Sequence, residues 1–401
     1  MATDHDREKE RRGIDRPLLI AVILLVAFGV VMVYSASAVM AERQLENSTY
    51  FLMRQIIYAV VGLAVMLVAS RIDYRWYAKV IYPLLGLSLV GMVLCHTPLG
   101  RTINGASRWI GAGPITIQPA EALKVALVLW LSYSLAKKRE KIKSFSIGFL
   151  PHLIIPGVAM LLCLLQPDFG TAAVIALLSF ALLFVAGAKL GYIMAAGIVV
   201  APVAYLLIAG SEYRLRRLLV FLDPLSERLG DGYQLSQSLF GFGAGGSTGV
   251  GLGDGLQKFL FLPEAHNDFI AAIVGEELGV VGIWALMLVF SVVVARGIAI
   301  SLRAPDEFGA YLGFGLTTLI GVQVLANLAV AMGLVPTKGL NLPFVSFGGS
   351  ALLASLFAVG MLLNISRAPQ QVEEAEAVES RASRGNVKRR RGEPESEGAL
   401  S

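Results

Sequence analysis

The residues best suited to chemistry lie between 258 and 279, where a polar, turn-prone stretch meets a long apolar run. Glu264 and Asp268 lie at this junction, and Glu276 and Glu277 follow about two helical turns later. A carboxylate at the edge of a membrane span is costly to desolvate, so such groups usually face a cavity and serve a function. Asp268 could instead cap the next helix, because aspartate accepts hydrogen bonds from free backbone N–H groups there. The spacing alone leaves both interpretations open.

Four more ionisable residues interrupt or adjoin apolar stretches, namely Arg54, Glu121, Lys124 and Asp168. Glu121 and Lys124 are three residues apart, so on a helix they project from one face and could form an ion pair. A charged residue at bilayer depth costs about 2.5–3.5 kcal/mol on insertion scales. Each could be a satisfied structural ion, but together these charges are too many for inert helix packing. They indicate a polar cavity that opens outward.

Other catalytic patterns are not evident in the sequence. The four histidines are scattered, and Cys95 and Cys163 lie inside apolar runs, so this spacing predicts neither a metal site nor a disulfide framework. No serine or cysteine stands in a nucleophile elbow. A lone carboxylate beside basic residues suits a general base that acts on a hydroxyl group, while cations stabilise a phosphate leaving group.

A basic cluster at 213–217 is followed by a glycine-rich stretch at 232–246. Arginine binds phosphate bidentately, which makes Arg214 a candidate substrate-binding residue. Attraction of the cluster to lipid headgroups is the simpler alternative. The GFGAGG segment matches a dinucleotide-binding glycine pattern, but no strand–helix–strand unit surrounds it, so we reject that function.

An unusually apolar chain carries these residues. It has 401 residues, of which 56% are hydrophobic and 16% charged, whereas soluble domains contain about 25% charged residues. A spanning helix needs roughly 20 mostly apolar residues. The sequence therefore predicts an all-α integral membrane protein with ten transmembrane helices. We place them at 17–39, 51–70, 75–96, 119–136, 147–166, 171–188, 190–209, 269–295, 308–332 and 346–366.

Lysine and arginine predict the orientation of these spans. They are concentrated in both terminal tails and in the KKREKIK run at 137–143. By the positive-inside rule, both termini are cytoplasmic and the large loop at 210–267, between the seventh and eighth helices, is extracytoplasmic. The net charge of +5 is therefore explained by topology and is no evidence for nucleic acid binding.

The spans at 17–366 are expected to form one domain between two charged cytoplasmic tails, 1–16 and 367–401. Few large apolar residues occur in these tails, so we predict that both are disordered. The first apolar run is long enough to span and lacks a cleavage site, so we expect it to be retained.

Several motifs occur in one order along this domain. They are ASRWI at 106–110, IQPAEALK at 117–124, QPDFGT at 166–171, GYQLSQSL at 232–239, LPEAHNDFI at 262–270, GEELG at 275–279 and PTKGLNLPFVSFGGSAL at 336–352. In these motifs the chain resembles the SEDS family (shape, elongation, division and sporulation), ten-helix polymerases of bacterial peptidoglycan. PTKGL and PEAHNDF are more like its division branch than its elongation branch.

The resemblance implies a specific reaction. The family polymerises lipid II, the undecaprenyl-pyrophosphoryl disaccharide-pentapeptide, into glycan strands at the outer face of the membrane. The 4-hydroxyl of the acceptor sugar attacks the anomeric carbon of the donor, and undecaprenyl pyrophosphate leaves. The essential aspartate of the family corresponds to Asp268, which is thereby expected to be the general base.

The resemblance also assigns substrate-binding residues. The polar residues of the family's cavity correspond to Arg54, Glu121, Lys124 and Asp168, with Lys124 expected to contact pyrophosphate and Glu121 to hold it in place. We add Arg214 from the basic cluster, together with His266 and Lys338 from the matched motifs, as further candidates for substrate binding.

The resemblance also predicts partners and a location in the cell. The resemblance implies a class B penicillin-binding protein transpeptidase as partner, other membrane proteins of the division machinery, and enrichment at the septum of the cytoplasmic (inner) membrane. No cofactor is certain, although a divalent cation, Mg²⁺ or Mn²⁺, could screen the pyrophosphate.

Two other functions are considered. A lipid II transporter is one alternative, but the chain lacks the repeated halves of many transporters. A non-catalytic scaffold of the division machinery is the other.

Overall fold

The computed structural model describes residues 13–367 except 104, 113, 114, 211, 226, 228 and 231. The tails that we predicted to be disordered therefore lie outside the described residues, apart from their inner ends.

Long helices account for most of the described chain. Eight stretches of the described chain are long and apolar enough to cross a membrane. Two shorter apolar helices, Phe169–Val185 and Leu190–Pro202, lie where we predicted the sixth and seventh spans. The predicted membrane class is thus confirmed, whereas the count of ten crossings stays a prediction. The helices are α1 (Arg16–Leu45), α2 (Tyr50–Ala69), α3 (Tyr74–Leu94), α4 (Pro119–Lys137), α5 (Pro151–Leu165), α6 (Phe169–Val185), α7 (Leu190–Ala209), α8 (Glu212–Leu222), α9 (Tyr233–Gly245), α10 (Ile270–Leu302), α11 (Glu307–Ala331) and α12 (Gly349–Arg367).

A small antiparallel sheet lies between α3 and α4 and was not part of the all-helical prediction. Its strands are β1 (Gly100–Ile103), β2 (Ala106–Ala112) and β3 (Ile115–Ile117), in the order β1-β2-β3. Arg101 pairs with Trp109 across β1 and β2, and Gly111 pairs with Thr116 across β2 and β3. The strands are too short to give a clear alternating pattern, so the sequence suggested only a loop.

Helix α4 is the centre of the bundle. Most of its side chains are buried, including Leu127, Trp130 and the charged Lys124. A helix that is apolar around most of its circumference belongs in the interior of a bundle, because no face is left for water. Helix α11 packs closely against α4 and α6, since Gly315 leaves room for Val128 and Leu182.

Helix α10 is interrupted at Gly279, which has φ 65° and ψ −164°. This backbone conformation is left-handed, so a side chain at this position would be strained. A Cβ there would also lie 2.4 Å from the backbone nitrogen of Gly249. The predicted eighth span is therefore two helical segments: a short one that follows Asp268 and a long apolar one after Gly279.

The two ends of the bundle differ. At one end, Asp15 caps α1 by accepting from the backbone N–H of Leu18 and pairs with Arg296 at 2.6 Å. Arg75 pairs with Asp306 at the same end, at 3.0 Å. The opposite end carries the sheet, α8, α9 and the segment 333–348, and we call it the cavity end.

Candidate active site

A cavity of about 890 Å³ opens at the cavity end of the bundle. Its wall includes residues of α2, the sheet, α4, α8, α9, α11 and the segment 333–348. Six of the eight sequence-predicted site residues line it. They are Arg54, Glu121, Lys124, Asp168, Asp268 and Lys338.

The other two candidates, His266 and Arg214, are not found in the described cavity wall. His266 is not in the described cavity wall: it is buried in an aromatic cluster, with its ring centroid 4.6 Å from that of Phe51 and 5.7 Å from that of Phe347. Burial lowers the pKa of His266, and the nearby Glu264 partly opposes this. A neutral ring packed between aromatics supports the backbone before Asp268 and does not contact the cavity. Arg214 lies in α8, but its side chain is outside the described part of the molecule.

Asp268 is not the N-cap residue of the following helix. The N-cap of α10 is Phe269, whose side chain makes no capping hydrogen bond. Asp268 instead lines the cavity, and a Cβ at Gly339 would lie 2.9 Å from its Oδ2 atom. Glycine at 339 thus leaves space for the carboxylate. The carboxylate is therefore in the cavity wall, where the functional interpretation of Asp268 requires it.

Hydrogen bonds fix the backbone around Asp268. The side-chain amide of Asn327 donates to the carbonyl of Asp268 at 2.8 Å and to that of Leu340 at 2.5 Å. Ser346 donates to the carbonyl of Asn267 at 2.6 Å. Helix α11 and the segment 333–348 therefore both hold this stretch, so the carboxylate is presented from a rigid frame.

Glu264 adds local strain just before Asp268. It has φ 53°, a left-handed conformation that is uncommon for residues other than glycine. Its carbonyl accepts from the backbone N–H of Asn267 at 3.0 Å, and its carboxylate accepts from the Asn267 side chain at 2.5 Å. Backbone outliers of this kind persist where the surrounding structure enforces them, often at functional sites.

The predicted ion pair between Glu121 and Lys124 is confirmed. Lys124 Nζ lies 2.8 Å from Glu121 Oε1 and also donates to Gln323 Oε1 at 2.8 Å. The lysine is only 2% exposed, yet both members of the pair line the cavity. Its carboxylate and amide partners hold the Lys124 side chain in one orientation in this buried position.

Asp168 serves two roles at the cavity wall. It caps α6, because its carboxylate accepts from the backbone N–H of Thr171 at 3.1 Å and from the Thr171 hydroxyl at 2.8 Å. It also lines the cavity together with Lys338. Burial lowers the pKa of Lys338, and the charge of Asp168 partly restores it.

Arg54 and Arg108 complete the cationic part of the cavity wall. The guanidinium of Arg54 lies 4.7 Å from the ring centroid of Tyr50, a cation–π contact that orients it. With Lys124 and Lys338 the described wall has four cations, and Glu121, Asp168, Glu264 and Asp268 supply four carboxylates. Anion binding must therefore depend on where each charge lies, since the formal charges balance.

Glu276 and Glu277 are buried but absent from the described cavity wall. Glu276 accepts from the backbone N–H groups of Leu256 and Gln257, at 2.7 and 3.2 Å. Glu277 accepts from Ser35 at 2.7 Å and from Lys258 at 3.1 Å. These two carboxylates hold the loop 246–262 and α1 against α10, so their role is structural.

The glycine-rich stretch has a packing explanation. A Cβ at Gly245 would lie 1.9 Å from the carbonyl oxygen of Gly275, and one at Gly249 would lie 2.1 Å from that of Glu277. Glycine therefore lets α9 and the following loop approach the first segment of α10 at backbone distance. This agrees with our rejection of a dinucleotide site.

Three residues with structural roles at the site were missed by the sequence analysis. Gln323 and Asn327 are one helical turn apart on α11, so both amides face the site. Two amides four residues apart in an apolar span were the available signal. Arg108 donates to the carbonyls of Gln166 and Pro167, at 3.1 and 2.6 Å, a contact over 58 positions that no local pattern reveals.

Metal ligands are not clustered in the described chain. Within it, no group of three or more His, Cys, Asp or Glu side chains could hold a metal ion. The carboxylates of Glu264 and Asp268 in the cavity wall are nevertheless of the hard oxygen type that Mg²⁺ and Mn²⁺ accept.

The family model and the similar proteins all indicate the same protein family. Residues 16–371 match the family model FTSW_RODA_SPOVE, described as a cell cycle protein. A "Probable peptidoglycan glycosyltransferase FtsW" of Geobacter sulfurreducens is 46% identical over 359 residues, covering 89% of this chain and 96% of the relative. Stage V sporulation protein E of Bacillus subtilis is 40% identical over 357 residues, covering 88% and 97%.

Two solved structures share the fold. One chain, from a peptidoglycan synthase complex described as coordinating polymerization and crosslinking, superposes with a TM-score of 0.75 at 29% identity, covering 88% of this chain and 98% of that one. The rod shape determining protein RodA of Thermus thermophilus superposes with a TM-score of 0.63 at 27% identity, covering 88% and 97%.

Proposed function

The chain belongs to the FtsW, RodA and SpoVE family of cell cycle proteins, and we propose that the cavity is where it polymerises lipid II. Its activity class is peptidoglycan glycosyltransferase, as named for relatives that match most of the chain. The observation that carries the proposal is the placement of Asp268: a carboxylate on a rigid frame in a cavity that also contains four cationic side chains.

Asp268 acts as the general base in this proposal. Its carboxylate accepts the proton of the acceptor sugar's 4-hydroxyl as that oxygen bonds to the anomeric carbon of the donor. The bond between the anomeric carbon and the diphosphate oxygen breaks, and the electron pair leaves with undecaprenyl pyrophosphate. A positioned base of this kind typically contributes about 10²–10⁴-fold to the rate.

The cationic residues stabilise the departing diphosphate. Lys338 and Arg54 line the cavity on segments other than the helix that carries Lys124, so positive charge can approach the diphosphate from several sides. Lys124 already donates to Glu121 and Gln323, which favours a role as an oriented charge deep in the wall. A divalent cation, Mg²⁺ or Mn²⁺, would add to this charge when bound with the diphosphate.

The reaction takes place outside the cytoplasmic membrane in this proposal. The basic residues Arg75, Arg139 and Arg296 lie at the end of the bundle opposite the cavity, which by the positive-inside rule is the cytoplasmic end. Both termini are then cytoplasmic. The proposal also places the protein at the division septum, with the cell cycle description of the matched family as its support.

A transpeptidase partner is part of the same proposal. Its support is the similarity to a chain of a complex that couples polymerization to crosslinking. We propose a class B penicillin-binding protein that binds the lipid-facing surfaces of α10 and α11, with other division proteins nearby. Crosslinks confined to α1–α3 would contradict this docking surface.

The decisive experiment is polymerisation of lipid II by the purified protein with its partner transpeptidase. We expect Asp268→Asn to insert and unfold like the wild type while losing about 10²–10⁴-fold in rate. Asp254→Asn is the matched control, because Asp254 is an exposed carboxylate of the same large loop and lies outside the described cavity wall. Normal glycan output from Asp268→Asn would remove this residue from the mechanism.

The same variant separates the two alternatives. In vesicles with lipid II only in the inner leaflet, transfer that survives Asp268→Asn would favour a lipid II transporter. A division defect caused by surface changes, with Asp268→Asn harmless, would favour a scaffold.

A further inference from the structure

One face of the three-stranded sheet looks into the cavity. Side chains alternate between the two faces of a strand, so Trp109 and Gly111 share one face of β2. Thr116 is the cross-strand partner of Gly111 and therefore lies on that same face. Both Trp109 and Thr116 line the cavity, which identifies this face as part of its wall.

Arg108 fastens the sheet in place. It lies at an irregularity of β2, between the residues that pair with Arg101 and Thr102, and it lines the cavity as Trp109 does. Its guanidinium donates to the carbonyls of Gln166 and Pro167, directly before Asp168. The sheet is thus held against the wall of the cavity, and Trp109 is presented from a fixed position.

The Trp109 indole is not used in the protein core. It is half-buried, and no hydrogen bond or ring contact joins it to another residue in the described part of the chain. By contrast, Trp130 is 4% exposed and packs against His152. An indole is usually retained at a polar surface because it offers a large, rigid contact area to a ligand.

The surroundings of Trp109 fit a sugar ring. A pyranose has a face of C–H groups that packs flat on an indole, while its hydroxyl groups need hydrogen-bond partners at the edge. Gly111, on the same face as Trp109, has no side chain to obstruct a ring, and its cross-strand partner Thr116 supplies a hydroxyl group to the cavity wall. The amides of Gln118 and Gln234 also line the cavity.

We propose that Trp109, with Gly111 and Thr116, forms a saccharide subsite in which the indole stacks on a pyranose ring of the substrate. This inference rests on the proposed function, because it names a binding site for the glycan that the cavity polymerises. The ring has two possible sources, the incoming monomer and the nascent strand, which share the same chemistry.

The test compares Trp109→Phe, Trp109→Leu and Trp109→Ala in lipid II polymerisation. We expect the KM for lipid II to rise about three- to tenfold in the Leu and Ala variants, the size of an aromatic contact, with a smaller change in kcat and with shorter products. Trp109→Phe should retain most of the affinity because it keeps a ring face. Trp76→Ala is the control, since Trp76 is 49% exposed on α3, outside the described cavity wall and away from the docking surface proposed on α10 and α11.

Leucine separates stacking from simple packing. It fills apolar volume without a flat π face, so equal activity of Trp109→Leu and Trp109→Phe would overturn the proposal. An unchanged KM and product length in Trp109→Ala would overturn it as well. Thermal unfolding of all three variants shows whether a defect is one of folding, and the Phe–Leu comparison remains decisive if Trp109→Ala does not fold.

Two further measurements complete the test. Adding a lipid-linked tetrasaccharide primer at saturation restores the rate of Trp109→Leu if the subsite holds the nascent strand, and excess lipid II restores it if the subsite holds the monomer. Rescue by neither contradicts a saccharide subsite. Binding of lipid II to the Asp268→Asn variant can be measured by the quenching of tryptophan fluorescence. We expect Trp109→Phe to remove this quenching. Because no turnover is needed, this measurement tests the subsite even if the proposed role of Asp268 fails.

Discussion

Two buried lysine–glutamate pairs in this molecule have similar geometry and different uses. Lys124 and Glu121 are 2.8 Å apart, and Lys258 and Glu277 are 3.1 Å apart. In each pair the lysine is at most 6% exposed. Only the first pair lines the described cavity. Two buried pairs of similar geometry thus divide into one that lines the site and one that holds the structure around it.

The difference follows from which segments each pair joins. Glu121 and Lys124 are on the same turn of α4, and Gln323 is the additional partner from α11. Glu277 on α10 instead joins Lys258 of the large loop and Ser35 of α1. Lys258 also donates to the carbonyl of Gly253. A pair within one helix constrains little tertiary structure, whereas a pair between distant segments fixes their arrangement.

The strongest test of this comparison replaces both members of each pair with neutral residues of similar shape. We expect Lys124→Met with Glu121→Gln to fold but to lose about 10²–10³-fold in polymerisation rate, the cost of removing one preorganised electrostatic contact in other enzymes. Lys258→Met with Glu277→Gln should keep kcat within severalfold of the wild type. Equal rate losses in both double variants would refute the division into a site pair and a structural pair.

A single replacement in the structural pair should affect stability. Lys258→Met leaves the Glu277 carboxylate buried without its cation, and breaking a buried pair in this way costs about 3–5 kcal/mol. Adding Glu277→Gln should recover much of this loss, because the amide can still bond to Ser35 and carries no charge. Chemical unfolding in detergent measures both effects. A single variant as stable as the double variant would contradict the explanation.

The smallest expected effect concerns pH at the cavity. The lowered pKa of Lys338 means that this side chain loses its charge at a lower pH than an ordinary lysine. If its cation stabilises the diphosphate, the rate falls as pH rises through that lowered pKa. Lys338→Arg keeps its charge to much higher pH, so the alkaline limb of the pH–rate profile should move to higher pH. An unchanged limb would exclude Lys338 as its cause.

Much of the bundle was predictable because membrane helices have a strong local signal. The apolar runs coincided with helices, since a chain in lipid must satisfy its backbone hydrogen bonds within each segment. The Glu121–Lys124 pair followed from helical spacing alone. The sheet at 100–117 was not predicted, because its strands are three to seven residues long and their pairing depends on contacts outside each strand.

The roles of individual polar residues were less predictable. Asp168 and Asp268 both precede an apolar run, but Asp168 is the N-cap of its helix, whereas Asp268 lies one residue before the N-cap of the next. His266 was expected at the substrate and instead packs between Phe51 and Phe347. These outcomes depend on partners distant in sequence, which spacing along the chain cannot reveal.

The sequence by itself determined that the chain is a membrane bundle, that costly charges are concentrated near one end, and that Asp268 lies at a helix junction. Tertiary structure alone decided which of those charges share a cavity, because burial and partner are properties of packed surfaces. Glu276 and Glu277 illustrate the physical reason. A carboxylate has the same desolvation cost whether it faces a substrate or a distant lysine, so only the position of its partner distinguishes the two roles.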